Sequence, residues 1–478
     1  MMRRLCRGST VLTIGFLCLF VWLLAQLGDT GPASDDDDAF RQTHTASEQA
    51  DRCPPQLDHL RSLRLTDTVL YSRRCIRPVV SSAVDRDEVV NISEPLFRGR
   101  QAIDLSSCAG ATVEPCDPLT LEVPPPYPQR MYPELAFGIA TSADRLRDSV
   151  GPISHWLSGS SAKLVVLISD RRPASDDELH DLQSLFTRRA IDATVMNPPR
   201  EYLTTSQNHF AIVRDLLRLS TPDTKWLGIL DDDTFFPSLH LLASELSRHD
   251  ASRPQYVGAL SEDFRAVKNW GYMAFGGAGI FLSIPAARAL DAHLDECLQG
   301  TEKSQGDGII RDCVHRYTHA KLSHVHGLHQ QDMRGDVSGF FEAGLLPISL
   351  HHWKSWYHHP VDKMALITRF CGDCFLQRWR IGGDTVLSNG YSVSVYPGGL
   401  ERLELERTEE TWGESGGAFE FSLGPLRPKL PKGAKKSHQL VHAEEVSPGV
   451  VRQVYVLKGN SRNHEPDEVA ELFWDFNS

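Results

Sequence analysis

The chain has 478 residues, of which 41% are hydrophobic and 23% charged, and a formal net charge of −12. That length accommodates two or three domains, and the composition is that of a globular protein. An acidic balance with no basic stripe and no RNA-type aromatic motif excludes a nucleic-acid partner.

Arg3, Arg4 and Arg7 precede an uncharged apolar segment, Thr10 to Leu27. It is long enough to span a bilayer as a helix, and the basic flank predicts a cytosolic N-terminus. Leu23-Leu-Ala25 is a poor cleavage site and Trp22 suits a membrane interface, which favours an anchor over a cleaved signal peptide. Either reading puts the bulk of the chain in the secretory pathway. Residues 1–28 are read as tail and anchor, and 29–130 as a partly disordered luminal stem in which Asp35–Asp38 is a solvated linker.

Cys6 and Cys18 fall in the tail and anchor. The other eight cysteines read as disulfides in an oxidising lumen, and pairing of neighbours predicts 53–75, 108–116, 297–313 and 371–374. Cys371-Gly-Asp-Cys374 is also half of a zinc motif, a weaker reading in that compartment. Asn91-Ile-Ser93 is a glycosylation sequon. Pro124–Pro128 is a stiff connector, and a domain boundary is placed just after it.

From residue 131 to about 360, strands and helices alternate. Strands are expected at Leu135–Ala140, Lys163–Ile168, Ala193–Met196, Trp226–Leu230 and Tyr256–Leu260. Helices are expected at Asp144–Leu157, Asp176–Ala190, Asn208–Leu219 and Leu239–His249. This is an α/β pattern with a mostly parallel sheet covered on both faces. It lacks GxGxxG and GxxxxGK[ST], so it is not a standard dinucleotide or P-loop site.

The strand Trp226–Leu230 ends in Asp231, Asp232 and Asp233. Three adjacent carboxylates cannot all stay ionised in a dry site without a counter-charge. Either they are a solvated turn, or they hold a hard divalent cation, Mg²⁺ or Mn²⁺, that receives a diphosphate at the carboxyl end of the sheet. Further along, Gly276, Gly277 and Gly279 would let a backbone approach a ligand closely, or make a tight turn between strands. Asp307, flanked by glycines at a helix start, is either an N-cap or a carboxylate with room for substrate. Among many histidines, His329 and His352 are candidates to complete an oxygen-rich metal shell. His351 and His352 end an expected strand, Leu346–His352, so they should point to opposite faces and at most one should ligate. From 361 to 478 short segments, including Arg378–Ile381, Tyr391–Tyr396, Phe419–Phe421 and Gln453–Leu457, alternate with Gly-rich turns and read as a small β-rich module.

Leu227-Gly-Ile-Leu-Asp-Asp-Asp-Thr-Phe, Ala274-Phe-Gly-Gly-Ala-Gly-Ile-Phe-Leu-Ser and the later Gly306-Asp-Gly308, in that order, resemble the fringe-like β-1,3-glycosyltransferases of glycosyltransferase family 31. His329-Gln-Gln-Asp332-Met-Arg-Gly335 and Pro347-Ile-Ser-Leu-His-His352 look like its plant and fungal branch. The resemblance covers about residues 131–400. It implies a GT-A nucleotide-sugar fold on a type II Golgi anchor, and inverting transfer from a UDP-sugar, with Mn²⁺, to a glycan or glycoprotein acceptor. It implies Asp233 as the main metal ligand, Asp231 and Asp232 supporting metal and ribose, Asp307 as base, and Thr141 and Asp170 against the uridine. Gly306 departs from the pattern, which usually carries an acid there. A homodimer is compatible with all of this. The rival readings are a non-catalytic glycan- or partner-binding protein of the same fold, and a two-metal phosphohydrolase, for which no second carboxylate set is evident.

Overall fold

A computed structural model describes residues 53–108, 111–113, 116–299, 306–413 and 420–477. The apolar segment Thr10–Leu27 and the Asp35–Asp38 run lie outside the described residues. Among those described, no helix is long and apolar enough to cross a membrane.

Four strands precede the connector: β1 (Thr68–Val80), β2 (Val90–Ile92), β3 (Gln101–Asp104) and β4 (Pro118–Val123). The alternating region supplies β5 (Leu135–Thr141), β6 (Lys163–Ile168), β7 (Asp192–Met196), β8 (Trp226–Leu230), β9 (Tyr256–Gly258), β10 (Ile280–Ser283) and β11 (Leu322–His324). These seven form one sheet in the order β11-β9-β10-β8-β5-β6-β7. β8, β5, β6 and β7 run parallel, and β10 is antiparallel to both β8 and β9. All five residues of β8 are buried, and so are the five apolar residues of β6, as expected of parallel strands covered on both faces. Alternate residues divide between the layers. Leu164, Val166 and Ile168 join the core beneath helices Ala143–Leu157 and Asp176–Thr187. Val165 and Leu167 join Phe210, Ile212 and Leu216 of helix Thr205–Leu219 on the other face.

Helix starts are set by polar caps rather than by the apolar stripe. Ser142 and Ser175 accept from the third backbone N–H beyond them. Thr204 and Gln207 form a capping box, so that helix begins at Thr205, three residues before its apolar period does. The strand expected at Leu346–His352 is only two isolated bridges, Phe235 to Leu350 and Leu328 to Ser349.

The remaining strands are β12 (Arg378–Ile381), β13 (Thr385–Ser388), β14 (Ser392–Val395), β15 (Thr408–Glu409), β16 (Leu426–Arg427), β17 (Lys436–Ser447), β18 (Val450–Leu457) and β19 (Asp467–Asp475). Glu420–Leu423 is a short helix where strand was expected, because three alternating residues are too few to set a period. Apart from the β15–β16 pair, these strands build a ten-stranded sheet together with β1 to β4, in the order β2-β12-β13-β14-β17-β18-β19-β1-β3, with β4 also paired to β1. β1 lies parallel to β19, from Val69 opposite Asp467 to Ile76 opposite Trp474. The segment read as stem thus carries ordered strands. Arg73, Arg74, Arg77 and Pro78 interrupt the apolar pattern of β1, and its partner lies at the far end of the chain. Asn91 sits exposed on β2, at the sheet's edge.

This sheet corrects two of the four expected disulfides. Cys53 pairs with Cys108 and Cys75 with Cys116, while 297–313 and 371–374 form as expected. β3 runs back along β1, with Thr68 opposite Asp104, which leaves Cys108 beside the helical turn after Cys53. β4 starts with Pro118 opposite Cys75, which brings Cys116 to that cysteine. Pairing by sequence neighbour fails where strands carry neighbours apart.

One hydrophobic cluster joins the two sheets, running from Phe137 and Trp156 through Trp353 and Phe375 to Trp379 and Trp474. Trp474, on β19, is fully buried, with its ring centroid 5.9 Å from that of Trp379. Trp474→Ala is expected to cost ~3–5 kcal/mol, measured by denaturant unfolding. A loss below about 1 kcal/mol, within the range of a surface substitution, would show that β19 does not anchor the sheet.

Candidate active site

The acidic turn stands at the carboxyl end of β8, and its three carboxylates meet three different environments. Asp232 is buried and held by the protein. Arg145 Nε donates to its Oδ2 at 2.8 Å and Nη2 to its Oδ1 at 2.6 Å. Lys354 Nζ and the Thr141 hydroxyl each donate to Oδ2 at 2.8 Å. Its capacity is spent on structural partners, and Thr141 is spent with it. Asp170 accepts from Ala143 N at 3.0 Å and so supports the start of helix Ala143–Leu157. The structure therefore does not bring Thr141, Asp170 or Asp232 into the cleft described below.

Asp233 and Asp231 face His351. The turn is pinned by reciprocal backbone bonds between Phe235 and Leu350, each N–H to the other's carbonyl at 2.8 Å. That places His351 Nε2 3.0 Å from Asp233 Oδ1 and 3.4 Å from Asp231 Oδ2. The other ring nitrogen, Nδ1, lies 3.0 Å from the Gln330 carbonyl. A carbonyl only accepts, so Nδ1 carries the proton. Nε2 of a neutral ring then turns a lone pair toward two carboxylates, an arrangement that requires a proton or a cation between them. Burial would lower the basicity of His351, but its bonds to Asp231 and Asp233 hold its pKa well above the ordinary imidazole value. Burial would likewise raise Asp233, and the bond from His351 overrides it and holds the carboxyl well below the usual range. An imidazole nitrogen and carboxylate oxygens converging on one point fit Mn²⁺ or a similar divalent ion.

His352 belongs to the same group: Asp233, His351 and His352 each offer a ligand atom within 4.8 Å of the others. The expectation that adjacent histidines diverge fails because His352 is not extended. Its φ is 55°, and the two rings lie side by side, tilted 37° to each other with centroids 3.8 Å apart. Both His352 nitrogens already have neighbours, Ser355 Oγ and Asp332 Oδ1, each at 3.1 Å. His351, with Nε2 aimed at the acids, is the better-placed ligand. His329 lies elsewhere, buried with Nδ1 3.0 Å from Glu262 Oε1 and its ring against Phe340.

The glycines make room for neighbouring side chains. Gly276–Ala278 is a single tight turn. A Cβ on Gly277 would overlap the His351 ring, and one on Gly276 would come 3.0 Å from Asp307 Oδ1. Gly279 takes a φ of 97° to leave the turn. Gly276 N donates to Asp307 Oδ2 at 2.8 Å, so Asp307, in the first turn of helix Gly306–Tyr317, is tied to the glycine loop. Burial raises the Asp307 carboxyl above the usual range; Asp231 adds to this, and His209 and Gly276 N–H oppose it.

Asp231, Asp307, Asp332, His351, Trp270 and Trp356 all line one cleft of about 490 Å³. His209 lines it too, and the sequence reading passed it over. Its only signal was a lone histidine at the start of an amphipathic helix.

A family described as "Protein of unknown function, DUF604" matches residues 268–362, the stretch that carries the glycine turn, Asp307, Asp332, His351 and His352. Over 188 residues the chain is 28% identical to a human β-1,3-glucosyltransferase, a match that takes in 37% of this chain and 35% of that protein. The chain thus matches about a third of that curated relative's length and is glycosyltransferase-like over that stretch. Among solved structures it is similar to a mannosyltransferase from Pyrobaculum calidifontis in complex with GDP-Man and Mn²⁺, at 12% identity and a TM-score of 0.28, covering 43% of this chain and 58% of that one. It is also similar to mouse xyloside xylosyltransferase 1, at 10% identity and a TM-score of 0.28, covering 40% and 84%.

Two outcomes are expected of the His351 site. Gly277→Ala should push the ring off the acids and weaken Mn²⁺ binding by roughly 10–100-fold, with far-UV circular dichroism unchanged; an unaltered affinity would remove His351 from the site. Because metal ligation needs a neutral imidazole, Mn²⁺ binding near pH 7 should release a proton and tighten as pH rises. Calorimetry in buffers of different ionisation enthalpy reads this directly, and no buffer dependence would contradict it.

Proposed function

We propose that this chain is an inverting, metal-dependent glycosyltransferase of GT-A type that moves a sugar from a UDP-sugar to a hydroxyl of a glycan or glycoprotein acceptor. The observation that carries the reading is one cleft lined by Asp231, His351 and Asp307, in which His351 Nε2 faces Asp231 and the buried Asp233 behind it while Asp307 stands tied to the glycine turn. The β-1,3 linkage and the fringe-like branch of family 31 rest on the motif resemblance and on the matched glucosyltransferase stretch. The apolar segment Thr10–Leu27 and its basic flank support a single-pass type II anchor, the motif resemblance supports the Golgi, and the four disulfides suit an oxidising lumen.

Asp233, His351 and Asp231 would hold the ion. A divalent ion bound there supplies Lewis-acid neutralisation of the charge that grows on a departing diphosphate. Asp307 takes the proton of the acceptor hydroxyl as that oxygen bonds to the anomeric carbon. The bond from that carbon to the diphosphate breaks, and its electron pair leaves with the UDP. Burial, by raising the Asp307 carboxyl, makes it a stronger base than a solvated aspartate. One base suffices for single displacement with inversion; retention would need a carboxylate nucleophile. Trp270 and Trp356 border the cleft and add apolar surface to its wall.

The test is release of UDP by the full-length protein across a panel of UDP-sugars, with Mn²⁺ and with EDTA. Turnover should vanish in EDTA and in Asp233→Ala. Asp307→Asn should lower kcat by roughly 10²–10⁴-fold while UDP–Mn²⁺ affinity stays within about threefold. Parallel loss of affinity and turnover in Asp307→Asn would refute the base role, and no UDP–Mn²⁺ binding by the wild type would refute the site.

A further inference from the structure

His209 occupies a position that the proposed chemistry leaves without a role. It lies in the second turn of helix Thr205–Leu219, a helix packed against the sheet through Phe210, Ile212 and Leu216. Its side chain is 8% exposed, and its two nitrogens face two different acids. Nδ1 lies 3.6 Å from Asp231 Oδ1, and Nε2 lies 3.6 Å from Asp307 Oδ1. Nε2 is buried with no hydrogen-bond partner. A buried imidazole nitrogen without a partner costs free energy, so the site keeps it there for a reason other than packing.

The surroundings are cut to its shape. A Cβ on Gly276 would come 2.9 Å from Nε2, and one on Gly306 would come 2.7 Å from Cδ2. Gly276 is the residue whose N–H holds Asp307 Oδ2, and Gly306 directly precedes Asp307 in the chain. The ring therefore wedges between the two segments that present Asp307, with its far side on the acidic turn. With Gly276 on one carboxylate oxygen and His209 beside the other, the Asp307 carboxylate has a fixed plane.

We propose that His209 is a positioning residue that holds the Asp307 carboxylate in register with the Asp231 end of the metal site. The ring acts through Asp307 and does not touch the acceptor. With the ring's one proton on Nε2, that nitrogen is the donor directed at Asp307 Oδ1, and Nδ1 is left as an acceptor on the Asp231 side. The inference rests on the base role of Asp307, and it names the residue that sets that base.

Side-chain isosteres separate the two contacts. The amide nitrogen of glutamine can reach the Nε2 position, whereas that of asparagine reaches only the Nδ1 position. The experiment is steady-state kinetics of the full-length protein and of His209→Ala, His209→Gln and His209→Asn, with UDP–Mn²⁺ affinity measured alongside. His209→Ala should lose about 10²-fold in kcat, the scale of a misplacement near 1 Å, with donor KM and UDP–Mn²⁺ affinity within about threefold of wild type. His209→Gln should recover about tenfold of that loss, and His209→Asn should stay near the alanine level, as Nε2 is the contact that matters. A wild type that turns over while His209→Ala keeps kcat within threefold overturns the positioning role alone. Equal losses in kcat and UDP–Mn²⁺ affinity, or rescue by asparagine rather than glutamine, also overturn it. A wild type that turns over no donor removes the base reading and the role of His209 with it.

Discussion

Three consecutive carboxylates at the end of a buried strand need counter-charge, and the fold supplies it from distant segments. Asp232 is neutralised by Arg145 and Lys354 and becomes structural. Asp233 meets His351, and Asp231 lies between His351 and His209. Like charges held this close would otherwise protonate or repel. The partition decides the chemistry, because one acid is withdrawn into the scaffold while the other two are left facing an imidazole at the edge of a cleft.

The geometry that enforces the partition is modest. Phe235 and Phe236 are fully buried, and Phe236 packs edge-on to Trp156 at 5.0 Å. That anchors the acidic turn to the core directly after its last carboxylate. The Phe235–Leu350 backbone pair then sets the height of His351. The Gly276–Ala278 turn lies against His351, His209 and Asp307 together. Glycine is required there by the volume of the side chains it faces, so the loop works as the packing surface of the site. This is how groups held on rigid elements keep their geometry without a ligand.

The second sheet joins the two ends of the described chain. β1 takes β19 along most of its length and β4 along its later part, and a core continuous with that of the first sheet lies between. A strand whose partner is nearly four hundred residues away carries the loop-closure cost of a non-local contact. Two disulfides fasten its neighbours, Cys53–Cys108 and Cys75–Cys116. They follow strand register rather than sequence proximity.

The apolar runs of β5, β6 and β8, the capped helices between them, and the acid triplet at a strand end were legible from the sequence, because each is a local property: period, cap and bounded length. The glycine turn and Asp307 were legible as features, and their mutual contact was not. What only the tertiary structure decided is which groups meet. His351 stands in the place that sequence reasoning gave to His329 or His352, since the turn at His352 and the Phe235–Leu350 pairing orient its ring, and neither is written in a local pattern. Asp232 left the cleft because Arg145, in the first turn of another helix, reaches it. β1 escaped notice because its alternation is broken by arginines and its pairing is non-local. Residue types and their spacing determine which chemistry this chain carries. Long-range backbone pairing decides which of those residues share a charge, because a side chain's partners are set by the elements brought against it rather than by its neighbours in the chain.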